Sequence, residues 1–95
     1  KGILNEISKQ IKDISNRVIV EGHTDNVPIH NQKYPSNWEL STARATNVIR
    51  FFIEKHGIKP ARLSASGYSE YKPLVDNDTK KNRSKNRRVE IIICK

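Results

Sequence analysis

The sequence predicts a single small α/β domain, a two-layer sandwich in which two helices cover one face of a mixed sheet. Three observations predict it: two apolar stripes at helical spacing, three short segments with strand character, and a length of only 95 residues. A chain this short supports one hydrophobic core, because domains generally contain about 100–150 residues. No apolar run approaches the roughly 18–20 residues that a membrane-spanning helix needs.

The first helix and the first strand differ in the spacing of their apolar residues. Isoleucines recur at helical spacing from Ile3 to Ile14, which predicts an amphipathic helix over residues 3–15. Residues 17–22 are β-branched and bounded by polar residues, which predicts a buried strand. The polar residues 23–37 that follow include two prolines, so we expect a long ordered loop there.

The second helix has clear start and stop signals. Ser36 and Glu39 have the spacing of a capping box, and Asn37 is a competing N-cap one residue later. An apolar stripe then continues to Ile53. Gly57 is placed to form a left-handed C-terminal cap, and Pro60 blocks any continuation of the helix.

The last third of the chain supplies two more strands. Residues 62–68 have a weak strand pattern, and residues 88–94 have a strong one that contains three consecutive isoleucines. Between them lies a polar, proline-containing stretch with a short helix near residues 79–86. The predicted order is therefore helix, strand, helix, strand, strand.

The net charge favours a polyanionic partner. Lys and Arg number 18 against 10 Asp and Glu, a formal charge of +8 that attracts nucleic acid, anionic membranes or acidic cell-wall polymers. Six of the basic residues fall within residues 80–88, and such a run is most often a solvated surface. Because only 6% of residues are aromatic, a stacking platform for single-stranded nucleic acid is disfavoured, and we expect no nucleic-acid partner.

The sequence gives little support for catalysis or for a metal site. Cys94 is the single cysteine, which excludes an internal disulfide and favours a small buried hydrophobe. His23, Asp25 and His30 are valid zinc ligands, but their spacing is not a specific signature. No nucleophile-elbow or zinc-protease motif is present. We therefore expect neither an enzyme nor a bound metal or cofactor.

Three positions are candidates for ligand binding from their placement alone. Asp25 follows the carboxyl end of a strand, where ligands bind in α/β folds, although it could instead cap its own loop. Arg44 lies in the first turns of the long helix, where a surface arginine with a packed stem is the alternative. Residues 86–88 precede the last strand and could equally be a solvated strand edge.

Several segments together resemble the OmpA-like peptidoglycan-binding family. No single segment is decisive, but their order and spacing extend over nearly the whole chain: residues 20–25, 37, 40–45, 57–58, 62–63, 67–68, 73 and 86–91. The resemblance implies binding of the diaminopimelate-containing stem peptide of the cell wall. It also implies a strand before the first helix, so we expect this chain to be an N-terminally truncated piece of the domain with one exposed sheet edge.

The resemblance assigns the central binding role to Asp25 and Arg44. Diaminopimelate carries an ammonium and a carboxylate on one carbon, so Asp25 would accept from the ammonium and Arg44 would bind the carboxylate through its planar fork. By the same resemblance further contacts come from Thr24, Asn37, Leu40 and Arg87, with Asn86 and Arg88 as weaker members.

One part of the sequence resembles the flagellar motor stator branch of that family. The segments concerned are residues 25–29 and 34–41, which include Trp38. This implies an extracytoplasmic wall anchor that joins an upstream membrane helix, forms a homodimer and works with a MotA-type subunit. The alternatives are an anchor for another envelope protein and, less favoured, a basic nucleic-acid-binding module.

Overall fold

The structure, a computed structural model, describes residues 2–95. The expectation of a missing first strand concerns the chain at and before Lys1, outside the described residues. The elements follow the predicted order, including the short helix: α1 (Gly2–Lys12), β1 (Val18–His23), α2 (Asn37–His56), a 3-10 turn (Pro60–Arg62), β2 (Leu63–Gly67), α3 (Lys80–Asn86) and β3 (Arg88–Ile93). Within residues 2–95, no helix combines the length and the apolar character that membrane crossing requires.

The three strands form one mixed sheet in the order β2-β1-β3. Strand β1 runs parallel to β2 and antiparallel to β3, so the predicted mixed sheet is confirmed. The register places Val18 between Leu63 and Ile93. Since side chains alternate along a strand, Val18 and Val20 share the face that α2 covers.

The core lies between that face of the sheet and the helices. Its buried apolar members are Ile11, Val18, Val20, Ala45, Phe52 and Ile58. Each of the valine, isoleucine and phenylalanine side chains contributes roughly 1.5–3 kcal/mol by leaving water. The predicted first helix, residues 3–15, was too long, since α1 ends at Lys12. The Ile14 amide donates to the Ile11 carbonyl in a tight final turn, and Ile14 is 37% exposed. The isoleucine stripe thus extends beyond the surface that the helix buries.

Helix α2 begins and ends where the capping signals indicate. The Ser36 hydroxyl accepts from the Trp38 amide at 3.1 Å and donates to the Glu39 carboxylate, which lowers the pKa of Glu39 below its usual value. Asn37 is not the cap; it is the first helical residue and is buried. Gly57 adopts the left-handed conformation at a φ of 64°, as predicted.

Two paired glycines let α2 pack directly on the sheet. Gly22 of β1 lies opposite Gly67 of β2. A Cβ on Gly22 would lie 1.9 Å from the Ser41 carbonyl oxygen, and one on Gly67 would lie 2.3 Å from Thr42 Oγ1. Only residues without a side chain allow this approach. The first turns of α2 therefore lie over the carboxyl ends of both strands.

Candidate ligand-binding site

A groove of about 560 Å³ opens where the loop after β1 meets the first turns of α2 and one side of α3. This volume is typical of small-ligand sites. Six of the eight residues that the sequence nominated line it: Thr24, Asp25, Asn37, Leu40, Arg44 and Arg87. We refer to it as the Asp25 groove.

The carboxylate of Asp25 is held at both oxygens. Oδ2 accepts from Arg87 Nη1 at 2.6 Å, and Oδ1 accepts from the Val27 amide at 3.0 Å. Asp25 is only 6% exposed, and a buried carboxylate needs such partners. One oxygen therefore caps the loop, as the alternative interpretation had it, and the other contributes to an ion pair in the groove.

The other two buried polar side chains at the groove fix the loop that carries Asp25. The Asn37 amide donates to the carbonyls of Asp25 and Val27 at 3.4 and 3.2 Å. The Thr24 hydroxyl donates to the Asp25 carbonyl at 2.8 Å, and the Thr24 amide donates to the Ser69 carbonyl at 2.9 Å. The Asn37 side chain thus holds the loop against α2, and the Thr24 backbone holds it against the turn that follows β2.

Arg44 supplies a cation that the protein leaves largely unengaged. Its guanidinium makes one long hydrogen bond, from Nη1 to the His23 carbonyl at 3.5 Å. Within residues 2–95 it forms no ion pair with a carboxylate. Asp25 and Arg44 line the same groove, but the cation that contacts Asp25 is Arg87.

Asn86 and Arg88 do not join the groove. Asn86 is fully buried, and its Oδ1 accepts from the Leu74 and Val75 amides at 2.8 and 3.2 Å. It therefore holds the loop before α3. Arg88 Nε donates to Glu90 Oε2 at 2.6 Å, within a charged cluster that lies on the opposite face of the sheet. Neither residue is among those that line the groove.

His23 belongs to that opposite cluster. Its Nε2 lies 3.3 Å from Glu21 Oε1 and 3.8 Å from Glu90 Oε2. The ligand atoms of these three residues lie within 4.8 Å of one another, an arrangement that the sequence analysis missed because it depends on strand pairing. Arg88 already occupies one Glu90 oxygen. We call Glu21, His23, Arg88 and Glu90 the His23 cluster.

The three candidate zinc ligands point to separate partners. His23 contacts Glu21, Asp25 contacts Arg87, and the Nδ1 atom of His30 lies 2.9 Å from the Pro35 carbonyl oxygen.

Two of the charged residues that line the groove, Lys80 and Arg83, were not nominated from the sequence. They belong to the basic run, for which the sequence left a solvated surface and a contact with a polyanion both open. The signal was present nonetheless, because residues 80, 83 and 87 recur at helical spacing.

A second groove, of about 370 Å³, lies on the outer face of α2. Its lining includes Trp38, Thr42 and Arg50, and the Trp38 ring stacks on Tyr71 at 5.5 Å. None of its lining residues is buried, in contrast to Asp25, Thr24 and Asn37. The Asp25 groove is therefore the better candidate for specific recognition.

The OmpA family model matches residues 1–87, a span that contains every residue lining the Asp25 groove. The chain belongs to the OmpA family. The resemblance inferred from the ordered segments is thereby confirmed.

The similar proteins include MotB proteins and another cell wall anchor. The chain is 47% identical to Motility protein B of Bacillus subtilis over 90 residues, which cover 86% of the chain and 34% of that protein. It matches the C-terminal domain of Helicobacter pylori MotB with a TM-score of 0.91 and 34% identity, over 98% of the chain and 71% of that domain. It matches the cell wall anchor of the T6SS from Pseudomonas aeruginosa with a TM-score of 0.86 and 39% identity, over 95% and 62% of the two chains.

These matches confirm the fold and the likeness to MotB. The chain spans 34–38% of the length of the first curated relatives, so they describe one domain of longer proteins.

Proposed function

We propose that this chain is the cell-wall anchor of a MotB-type stator subunit and that its Asp25 groove binds the diaminopimelate-containing stem peptide of peptidoglycan. The observation that carries the proposal is the presence, in one groove, of the fixed Asp25 carboxylate and the largely unengaged Arg44 guanidinium. Membership of the OmpA family and the likeness to a T6SS cell wall anchor support it.

The chemistry of the ligand matches these two charges. An ionised carboxylate has about four acceptor positions, so Asp25 can accept from the ligand ammonium while Arg87 and the Val27 amide keep theirs. The Arg44 fork binds the ligand carboxylate with two parallel hydrogen bonds. Leu40, one turn before Arg44, contacts the methylene chain between the two ends of the ligand.

The proposed role is binding without catalysis. An anchor that bears torque depends on slow release, which a charge-paired site on rigid elements provides. In the full protein this domain would lie on the wall side of the inner membrane, joined to an upstream membrane helix. It would dimerise and work with a MotA-type subunit so that ion flow generates torque.

Co-sedimentation with purified sacculi tests the proposal. Asp25→Ala and Arg44→Ala should each lower wall binding roughly tenfold or more, with an unchanged circular dichroism spectrum. Arg50→Ala is the matched control, because Arg50 is an exposed arginine on the same helix outside the Asp25 groove. Free diaminopimelate should compete with the wall. Wild-type retention by Asp25→Ala or Arg44→Ala would contradict the assignment.

The second candidate is the same anchoring role in another envelope protein, which the likeness to the T6SS anchor favours. The sequence upstream of this chain separates the two. A short N-terminal segment with one membrane helix that contains an Asp supports the stator role, whereas a barrel or a lipoprotein signal supports the alternative.

A further inference from the structure

The Asp25 groove carries more positive charge than one zwitterionic residue requires. Its lining includes four cationic side chains and a single carboxylate, Asp25. Arg87 is already paired with Asp25 at 2.6 Å, and the proposed function assigns Arg44 to the ligand carboxylate. Lys80 and Arg83 are left over, and within residues 2–95 neither forms an ion pair.

The basic residues on and directly after α3 differ in whether they line the groove. Lys80, Arg83 and Arg87 lie at i, i+3 and i+7, and the Arg87 amide continues the helical bonding to the Arg83 carbonyl at 3.2 Å. Residues with this spacing share one side of a helix, and all three line the groove. Lys81 and Lys85 are exposed and do not line it. The fold therefore places three of the six cations along the groove, leaves Lys81 and Lys85 outside it, and pairs Arg88 with Glu90; Lys80 is exposed like the other two lysines but lies at the groove.

Arg83 is held in place before any ligand arrives. Its Nη1 donates to the Asn77 carbonyl at 3.2 Å, and the side chain is half-buried. The buried Asn86 in turn donates to Asn77 Oδ1 at 2.8 Å and to the Val75 carbonyl at 2.9 Å. A cation fixed in this way loses less conformational entropy on binding than a free surface side chain does.

We propose that Lys80 and Arg83 form a second anion-binding subsite. It binds another carboxylate of the same peptide, on the residue that neighbours the zwitterionic residue. The inference rests on the proposed function, since it assigns Arg44 to the first carboxylate. Two adjacent cations in a groove of net positive charge favour a ligand that brings two carboxylates over one that brings a single carboxylate. Amidation of the second carboxylate removes its charge and keeps its shape. The groove thus discriminates free-acid peptides from amidated ones.

Isothermal titration with two synthetic tripeptides tests the subsite. Both are L-Ala-γ-D-Glu-meso-diaminopimelate in which the carboxylate on the diaminopimelate carbon whose nitrogen joins glutamate is blocked as an amide. One keeps the free glutamyl carboxylate, and the other carries an amide in its place. The wild-type chain should bind the free acid about fivefold more tightly than the amide. In the Lys80→Gln/Arg83→Gln double variant this ratio should fall to about one, while affinity for the amide changes less than about twofold.

The double variant Lys81→Gln/Lys85→Gln is the matched control, because it removes the same net charge from the same helix outside the groove. It should keep the wild-type preference. A wild-type ratio near one, or an equal loss of preference in both double variants, would overturn the subsite while leaving the proposed function intact. Absence of binding by both peptides to the wild-type chain would overturn the proposed function and the subsite with it.

Discussion

The two faces of the sheet carry arginine–carboxylate contacts of the same length but of different kinds. Arg87 contacts Asp25 at 2.6 Å in the groove, and Arg88 contacts Glu90 at 2.6 Å in the His23 cluster. The two arginines are neighbours in sequence, and they reach opposite faces because successive side chains alternate at the entry to a strand.

The surroundings of each pair decide what it can do. In the His23 cluster both carboxylates face a basic group: Glu21 contacts His23 Nε2 at 3.3 Å, and Arg88 pairs with Glu90 and also donates to the Lys72 carbonyl at 2.9 Å, while His23 Nδ1 is buried without a partner among residues 2–95. In the groove, cations outnumber the single carboxylate and border open volume. An ion pair by itself is therefore not a sign of a binding site. Surplus charge of one sign beside a cavity is a stronger one.

The largest loss of stability is expected from a substitution that disrupts the packing of α2 on the sheet beside the groove and leaves the His23 cluster intact. Gly22→Ala should lower the free energy of unfolding by about 3 kcal/mol, because the new methyl would overlap the Ser41 carbonyl and push α2 from the sheet. Chemical denaturation measures the change. Gly2→Ala is the control, since a Cβ there meets nothing within 4 Å. Equal stability of the Gly22 variant and the wild type would contradict the close approach.

Asn86→Ala tests the hydrogen bonds by which Asn86, the residue before the two arginines, holds the loop that precedes α3. It should cost about 2 kcal/mol of stability, because the buried Leu74 and Val75 amides lose their acceptor. Asn82 lies on the same helix as Asn86 and makes an exposed hydrogen bond to Asp78, which precedes the helix. Asn82→Ala should lower the free energy of unfolding by about 0.5 kcal/mol or less. Thermal unfolding distinguishes them, and similar losses would argue against the special role of Asn86.

The paired variants Arg87→Gln and Arg88→Gln sharpen the comparison of the two faces. Arg87→Gln should weaken tripeptide binding about tenfold, because Asp25 loses the partner that orients it. Arg88→Gln should leave binding unchanged and cost about 1 kcal/mol of stability, because Glu90 and Glu21 lose a compensating charge. Calorimetric titration and denaturation of both variants check this. Weaker binding by Arg88→Gln together with unchanged binding by Arg87→Gln would show that the ligand binds on the other face.

The smallest effect concerns the pH dependence of the α2 cap. The Ser36 hydroxyl lowers the pKa of Glu39 in the folded state. Folding is therefore stabilised above the ordinary pKa of a glutamate, and this stabilisation is lost as the pH falls through the lowered value. Glu39→Gln should be slightly less stable than the wild type at neutral pH and equal to it in acid. A difference that grows on acidification would contradict the hydrogen bond.

Local patterns in the sequence predicted most of the fold. Ser36 and Gly57 end α2 where their capping chemistry requires, and the helical period of the isoleucines located α1. The predicted end of α1 was wrong because periodicity shows which residues are apolar but not how much of that stripe the rest of the fold can cover. Ile14 therefore belongs to the stripe and is exposed.

The site was only partly predictable. Asp25 and Arg44 were nominated from their positions relative to a strand end and a helix start, and both line one groove. The contact between Asp25 and Arg87 joins residues 62 apart, and no local signal specifies it. The side on which Asn86 and Arg88 lie depends on where α3 ends and β3 begins, and a shift of one residue there reverses the faces.

The most direct test of the central claim is an NMR titration of the ¹⁵N-labelled chain with the free-acid tripeptide. Binding at the groove should shift the Asp25 and Val27 amides and the Arg44 and Arg87 side-chain Nε signals in one saturable transition. The amides of Glu21 and Glu90, whose side chains belong to the His23 cluster, should shift much less. Shifts confined to the His23 cluster, or no shifts at saturating peptide, would contradict the account.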